Sequence, residues 1–460
     1  MAEDAFDVVV IGAGTGGYAC ALRAAELGKR VALVERDDRL GGTCLLRGCI
    51  PSKALLESAS VMDRINRSDE WGIQASGEPR WPKVLEFQRG IVDKKVKGLT
   101  GLIKARKIDV IQGTAKLASG PAVEVDGRRI GAADVVLATG SAPRLLPGLE
   151  VSERVITSDQ ALVLDHIPAS VAIIGAGAIG LEFATMYRSF GADVTILEAL
   201  PRIAPLEDED ISREAAKALK QRGITATPGV KVQEVKETGD GVEVTYQPEN
   251  GQAQSVSVEL CLVAIGRGPV TEGLGLEEAG VETDRGYVKV DGQLQTSVGG
   301  LWAIGDVAAT PLQLAHSSFI EGIAVAERIA GDGVPEIDYA GIPRVTFSQP
   351  EIASVGLTEA QARERGADVE TKKFAFSTLA KSNIVGEGGI VKVVAERDGA
   401  VLGIHMIGPH VTELVSEAML ITNWEALPAD VASVIHPHPT LSEAIGEVHL
   451  ALAGKPLHTM

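Results

Sequence analysis

Cys44 and Cys49 stand five positions apart in Gly41-Gly42-Thr43-Cys44-Leu45-Leu46-Arg47-Gly48-Cys49-Ile50-Pro51-Ser52-Lys53, and they are two of the chain's four cysteines. Two thiols this close can form a disulfide, but not across a regular helix. Five steps of α-helix separate Cα atoms by about 8–9 Å, and a disulfide tolerates roughly 7 Å. The backbone must leave helical geometry between them, and Gly48 and Pro51 permit that. Pro51 also suits a first helical turn, so a helix is expected to follow through Lys53-Ala54-Leu55-Leu56-Glu57. The N-terminal end of that helix would favour a thiolate through its dipole. The plainer reading is a pair of small residues buried near a loop.

A second group able to do chemistry lies near the other end, in His436-Pro437-His438-Pro439-Thr440-Leu441-Ser442-Glu443. Prolines flank His438 and hold it out of helix. A carboxylate beside an imidazole raises its pKa and fixes its tautomer, so His438 with Glu443 would make a general acid/base suited to thiols. Thr440 with Glu443 also fits a capping box for a helix running to about residue 452, which would make Glu443 structural. His436 and His438 could chelate a metal, but no third ligand cluster stands nearby, and no metal site is expected.

The third signal is repeated. Phe6-Asp7-Val8-Val9-Val10-Ile11 is a continuous apolar run of the kind a buried parallel strand needs. It leads into Gly12-Ala13-Gly14-Thr15-Gly16-Gly17, an Ala-rich helix over Tyr18 to Leu27, and a strand Val31-Ala32-Leu33-Val34-Glu35 that ends in an acid. The same grammar returns as Ser170 to Ile174, Gly175-Ala176-Gly177-Ala178-Ile179-Gly180, a helix to Phe190, and Val194 to Glu198; in both copies the first glycine and the acid are 23 positions apart. The glycines permit a tight turn, backbone approach to a pyrophosphate and close helix–sheet packing, while the helix N-terminus holds the phosphate charge. Glu35 would accept from a ribose hydroxyl pair. At the second copy Glu198 sits where a 2′-phosphate would lie, and the nearest arginine, Arg202, is four residues on, so NAD is favoured over NADP.

The elements between these groups follow the same pattern. Residues 90–118 read as helix then strand. Asp134 to Pro143 and Leu260 to Arg267 read as matching strands that run into glycine turns, with Cys261 in the core. Leu301-Trp302-Ala303-Ile304-Gly305-Asp306 is a strand with an acid at its tip, able to bind a ribityl or phosphate group or to cap a helix, followed by a helix over 318–330. From Tyr339 the texture changes to antiparallel strands at 345–347, 373–376, 389–394 and 401–407, with helices at 358–365, 411–422 and 427–434: a separate α+β unit.

Composition limits the partners. Net charge is −18 and aromatics are 4%, so nucleic acid and anionic membranes are poor partners. Four cysteines in 460 residues are no secreted disulfide framework, and a disulfide here reads as catalytic. There is no apolar run of membrane-spanning length, and Met1-Ala2-Glu3-Asp4-Ala5 is acidic, so a cytoplasmic location is expected.

Taken together, these residues resemble the class I pyridine nucleotide-disulfide oxidoreductases, and among them the dihydrolipoamide dehydrogenases, the E3 flavoproteins of 2-oxoacid dehydrogenase and glycine-cleavage complexes. The likeness covers essentially the whole chain. Beyond the two glycine motifs it rests on Gly41-Gly-Thr-Cys to Lys53, Ala138-Thr-Gly-Ser-Ala-Pro, Ala303-Ile-Gly-Asp, Leu314-Ala-His and the His436 to Glu443 stretch; Ile179 in place of a tyrosine lid, with the acid at Glu198, sets it apart from glutathione reductase. The resemblance implies an α/β fold with two Rossmann-like FAD/NAD(P)-binding domains and a C-terminal α+β dimerisation domain: residues 1–149 for FAD with the redox disulfide, 150–269 for NAD, 270–338 completing the FAD site, and 339–460 for dimerisation. It implies FAD contacts at Gly12, Gly14, Gly17, Glu35, Thr43, Ala115, Gly140, Asp306 and Ala315, with Lys53 near flavin N5 and ion-paired with Glu182. NAD contacts are implied at Gly175, Gly177, Ile179, Gly180, Glu182, Glu198, Val232 and Gly266. It implies a homodimer in which His438 and Glu443 reach the Cys44–Cys49 disulfide of the other subunit. The expected reaction is oxidation of protein-bound dihydrolipoyl groups with reduction of NAD+, and the expected partners are E2 lipoyl and peripheral-subunit-binding domains and the glycine-cleavage H protein. A related disulfide reductase or a non-catalytic redox-sensing flavoprotein is the alternative; a mercuric reductase would want a further C-terminal cysteine pair, which is absent. Two departures stand out. Leu46-Arg47 replaces the usual Asn-Val, which puts a cation near the thiols, where it would favour thiolate unless it points to solvent. Val270 and Ser317-Ser318 replace Asn and Lys-Ala.

Overall fold

The apolar runs of the first half form a sheet that is buried on both faces. A computed structural model describes residues 5–119, 122–249 and 251–458. Strand Ala5–Ile11 pairs in parallel with Val31–Glu35 on one side and Arg128–Leu137 on the other, and Leu301–Ala303 extends the pairing of Arg128–Leu137. Side chains alternate across a strand. Val8 and Val10 therefore join one core with Cys20, Ala21, Ala24, Ile103 and Val325, while Val9 and Ile11 join the other with Val123, Val135 and Leu301. This two-sided burial is why the run has no polar alternation; each fully buried valine contributes about 1.5–3 kcal/mol. Helices Thr15–Glu26 and Ala315–Ala330 pack together in the first of these layers. This unit comprises residues 1–54, 82–144 and 267–339.

The other unit comprises residues 55–81, 145–266 and 340–460. Its parallel sheet runs in the order Thr225–Thr227, Asp193–Leu197, Ser170–Ile174, Leu260–Val263, Val155–Ile156. A three-stranded antiparallel meander, Val230–Glu237, Val242–Pro248 and Gln254–Val258, packs its alternate valines on this sheet's core. A five-stranded antiparallel sheet follows, with Glu351–Gly356 and Val401–Gly408 at its centre and helices Val411–Asn423 and Glu443–Leu452 on its core. The meander and the strand Glu351–Gly356 are absent from the sequence reading. Cys261 is fully buried, as expected.

Candidate functional site

The chain leaves helical geometry between the two cysteines, at Gly48. A short helix, Gly42–Arg47, carries Cys44; Gly48 breaks it with φ −150° and ψ −113°, and the long helix Cys49–Asn66 opens on Cys49 with Pro51 in its first turn. Pro51 thus falls in the first helical turn, as expected. Both cysteines are half-buried thiols. A hydrogen bond with Cys49 raises the Cys44 thiol well above its ordinary value; burial and the Cys49 charge add to this, and Lys53 opposes it. Arg47 is engaged elsewhere. Its guanidinium is closely paired with the Asp37 carboxylate, so the cation that favours a Cys44 thiolate is Lys53.

The first glycine motif lies against this redox segment. Gly12 has φ +103°, and a Cβ there would lie 2.4 Å from the Ala138 carbonyl oxygen; a Cβ on Gly17 would lie 1.8 Å from the Gly12 oxygen. The Gly41 N–H donates to the Ala13 carbonyl at 3.0 Å, and Gly42, at φ +57°, approaches the Gly14 backbone so closely that a Cβ would sit 2.6 Å from the Gly14 Cα. Only glycines let the chain that brings Cys44 lie this close to the motif. The buried Glu35 carboxylate accepts from the Ala13 N–H at 2.7 Å and from the Arg36 and Asp37 N–H groups at 2.8 and 3.0 Å. Expected as a ribose acceptor, it is first of all the clamp on the glycine turn.

The second copy is built alike. Gly175 has φ +111° and would place a Cβ 2.4 Å from the Ala264 oxygen, and a Cβ on Gly180 would lie 2.0 Å from the Gly175 oxygen. The Glu198 carboxylate accepts from the Ala176 N–H at 2.6 Å and the Leu200 N–H at 2.7 Å. Gly14 and Gly177 are the N-caps of helices Thr15–Glu26 and Ala178–Ser189, and neither helix has a side-chain cap. A Cβ on Gly177 would meet nothing within 4 Å. A helix start with no side-chain cap fits a pyrophosphate at each cradle.

The remaining expected contacts are placed as follows. Thr43 lies on the short Cys44 helix, and the Arg267 guanidinium donates to its hydroxyl at 3.4 Å. Ala115 opens the strand Ala115–Ala118, and Gly140, at φ +71°, accepts from the Val270 N–H at 2.9 Å. Ala315 is the first residue of helix Ala315–Ala330. Asp306 sits in a single 3-10 turn, Gly305–Val307, and accepts from the Ser141 hydroxyl at 2.5 Å; it caps no helix. Ile179 is half-buried in the first turn of Ala178–Ser189, where the buried Glu182 accepts from the Phe347 N–H at 3.0 Å. Val232 is on the first meander strand opposite Tyr246, and Gly266, at φ +109°, ends the turn after Leu260–Val263.

His438 Nδ1 lies 2.8 Å from Glu443 Oε1, and the other carboxylate oxygen accepts from the Thr440 N–H at 2.8 Å. Burial works to raise the Glu443 carboxyl, but the Thr440 N–H and the His438 ring hold it below its ordinary value. Only half of the expected capping box forms. The helix starts at Glu443 itself with Ser442 as its N-cap, and the Thr440 hydroxyl turns instead to the Pro437 carbonyl and Ser442. The reason is geometric: Glu443 is the first helical residue rather than the third. His436 pairs with Glu417 at 2.7 Å, which raises its pKa.

The sequence reading passed over two sets of residues. Burial pushes the Tyr18 hydroxyl up to about 12, and the charges of Cys44 and Cys49 add to this. The Arg267 Nε donates to the Ser141 hydroxyl at 2.7 Å, which links it to Asp306. A tyrosine in an Ala-rich helix and a serine in a turn carry no pattern of their own; only the fold brings them to the chemistry.

The pattern of the pyridine nucleotide-disulphide oxidoreductases matches residues 6–322, and that of their dimerisation domain matches residues 342–449. The chain belongs to the pyridine nucleotide-disulphide oxidoreductase family. Among relatives of this family, the chain is 43% identical to a dihydrolipoyl dehydrogenase of Bacillus subtilis, covering 98% of this chain and 99% of that one. It is 42% identical to a dihydrolipoyl dehydrogenase of Mycobacterium tuberculosis, with 98% of both chains covered. Among solved structures, LpdA of Mycobacterium tuberculosis superposes with a TM-score of 0.88 at 27% identity, over 97% of this chain and 99% of that one. The flavoprotein disulfide reductase RclA of Escherichia coli gives a TM-score of 0.86 at 27% identity, over 96% of this chain and 99% of that one. Among the described residues, no helix is long and apolar enough to cross a membrane.

Proposed function

We propose that the chain is a dihydrolipoyl dehydrogenase, oxidising protein-bound dihydrolipoyl groups and reducing NAD+ to NADH. The observation that carries this reading is the redox pair, held on glycines against one dinucleotide cradle, in a chain that holds a second cradle of the same build. The full-length likeness to dihydrolipoyl dehydrogenases supports the choice of substrate.

The first cradle takes FAD and the second takes NAD. FAD, when bound, carries two electrons from a dithiol to a nicotinamide. The residues do the rest. His438, held in one tautomer by Glu443, removes a proton from a substrate thiol. The substrate thiolate attacks Cys44 in the Cys44–Cys49 disulfide, and Cys49 leaves as a thiolate. The second substrate thiol then attacks the mixed disulfide, releasing the lipoyl disulfide and the Cys44 thiolate. Two electrons have passed from substrate to cysteines, and the protons have gone to His438 and solvent. Lys53, whose charge acts on Cys44, favours the thiolate form. In the second cradle Glu198, with the nearest arginine in sequence four residues on at Arg202, selects NAD against a 2′-phosphate.

Residues 1–149 and 270–338 form the FAD part, 150–269 the NAD part, and 339–460 the dimerisation part. The enzyme works as a homodimer in the cytoplasm, with His438 of one protomer serving the redox pair of its partner. Its substrates are the lipoyl groups of E2 acyltransferases or of a glycine-cleavage H protein. Replacing His438→Gln tests the reading. Lipoamide turnover should fall by about 10²–10⁴-fold while reduction of the bound flavin by NADH is unchanged. A near-normal lipoamide rate would remove His438 from the chemistry. A wild-type protein that reduced other disulfides but not lipoamide would replace the substrate.

A further inference from the structure

The helix Ala315–Ala330 buries a carboxylate that no step above uses. Glu321 is 0% exposed. One of its oxygens accepts from the Gly305 N–H at 2.5 Å, and the other accepts from the Tyr339 hydroxyl at 2.8 Å. An acid in this position is costly, because burial raises its pKa and disfavours the charge. A leucine would fill the same helical position at no such cost. The acid therefore does something an apolar side chain cannot.

What it does is visible at Gly305. This residue ends the run from strand Leu301–Ala303, where the Ile304 N–H still donates to Leu137, and turns into the left-handed region at φ +68°. A side chain there would be strained and would crowd the Ser318 hydroxyl, 3.2 Å from the Cβ position. The Gly305 N–H is buried at this corner, where strand pairing has ended, and the Glu321 carboxylate is its acceptor. The next residue is Asp306, half-buried, whose carboxylate is joined through Ser141 to Arg267. The Glu321 side chain thus sets the turn, and the turn sets where Asp306 points.

We propose that Glu321 is a positioning residue of the flavin site: it holds the Gly305 corner so that the Asp306 carboxylate is presented to the ribityl chain of FAD. This rests on the reading of Asp306 as a flavin contact. Tyr339 is the brace behind it, satisfying the second carboxylate oxygen so that the buried charge has no unpaired face.

The test is reconstitution of the apoprotein with FAD, followed by the loss of free-flavin fluorescence, with the thermal midpoint of each apoprotein as a control for folding. Glu321→Ala should weaken FAD binding about tenfold, as expected when a charge-assisted hydrogen bond is lost and its donor is left buried. Glu321→Gln should stay within about threefold, because it keeps an acceptor for Gly305 and the Tyr339 hydroxyl can turn to accept from the amide. Because Glu321 acts through Asp306, Glu321→Ala should add less than about twofold when made in an Asp306→Ala background. Equal losses in both backgrounds would show that Glu321 serves the fold at large, and would overturn the proposal. Unchanged FAD affinity in Asp306→Ala alone would overturn the flavin reading of Asp306, and the proposal with it. A weakened Asp306→Ala beside an unchanged Glu321→Ala would overturn only the role of Glu321. Should Glu321→Ala not fold, Tyr339→Phe leaves the acid in place: a loss of about threefold that disappears in Asp306→Ala supports the proposal, and one that persists overturns it.

Discussion

The two glycine cradles agree to within a few tenths of an ångström in how they are closed. The first glycine N–H donates at 2.8 Å to the neighbouring strand in both copies, Gly12 to Val34 and Gly175 to Leu197. The acid at the strand tip accepts from the N–H between the first two glycines in both, at 2.7 and 2.6 Å. Even the return of the chain is shared, Gly41 to Ala13 at 3.0 Å and Ala204 to Ala176 at 3.1 Å. The difference begins at the next residue. After Gly41 a second glycine brings the chain onto Gly14 and opens the helix of Cys44; after Ala204 comes Pro205, which cannot open so tight an approach. One cradle has thus acquired a redox pair at its mouth and the other has been left open to a nucleotide. The glycine at 42 is the smallest change that separates the two outcomes.

The sharpest way to break this comparison is to spoil one cradle at a time. Alanine at Gly12 or Gly175 must take a strained positive φ and push its Cβ to 2.4 Å from a backbone oxygen. Strain of this kind is worth about 1–3 kcal/mol or more, roughly ten- to a hundredfold in nucleotide affinity. Gly12→Ala should purify with little flavin, read from its visible absorbance. Gly175→Ala should keep its flavin and raise the KM for NADH at least about tenfold. If Gly175→Ala lost its flavin while Gly12→Ala kept it, the assignment of one nucleotide to each cradle would be reversed.

A milder change sharpens the comparison at the acids. Glu35 serves three backbone N–H groups, two of them through one oxygen, and Glu198 serves two, one through each oxygen, so a glutamine, with one acceptor oxygen, can leave as few as one N–H unpaired in either cradle. Each such loss costs about 1.5–3 kcal/mol. Glu35→Gln should weaken FAD binding by about as much as Glu198→Gln raises the KM for NADH. Glu198→Gln should also narrow the preference for NADH over NADPH, because the charge that repels a 2′-phosphate is gone. Steady-state kinetics with the two nucleotides reads this directly, and an unchanged ratio would mean that Glu198 acts only as a clamp.

These acids also show how far the sequence could be read. Strand, glycine turn, helix and acid were legible at both copies because each residue type answers a local demand: positive φ, two-sided burial, an N-terminus without a cap. The break at Gly48 was legible for the same reason, from the reach of a disulfide. What was not legible depends on partners far along the chain. Glu321 reaching Gly305, the thiol charges acting on Tyr18 and Asp37 capturing Arg47 all join residues that no period or motif spacing connects. The half-formed capping box at Thr440 marks the same limit, since a shift of two residues in the helix start decides which role Glu443 takes.

Arg47 makes the smallest difference between the cradles and gives the finest test. It stands between the cysteines, yet its guanidinium is paired with Asp37, two residues past the Glu35 acid, and both side chains are partly exposed at 38% and 25%. A pair this open contributes at most about 1 kcal/mol, and its positive charge is already compensated. Lys53 is different, since its charge acts on Cys44 directly. The rate of Cys44 alkylation in the reduced protein, followed against pH, separates the two cations. Lys53→Met should move the midpoint upward, because the thiolate loses its counter-charge. Arg47→Leu should leave the midpoint within about 0.3 units, the equivalent of roughly 0.4 kcal/mol, and lower the thermal midpoint only slightly. If Arg47→Leu moved the alkylation midpoint as far as Lys53→Met, the Asp37 pair would not be holding the guanidinium away from the sulfur, and the cation between the cysteines would be part of the redox chemistry after all.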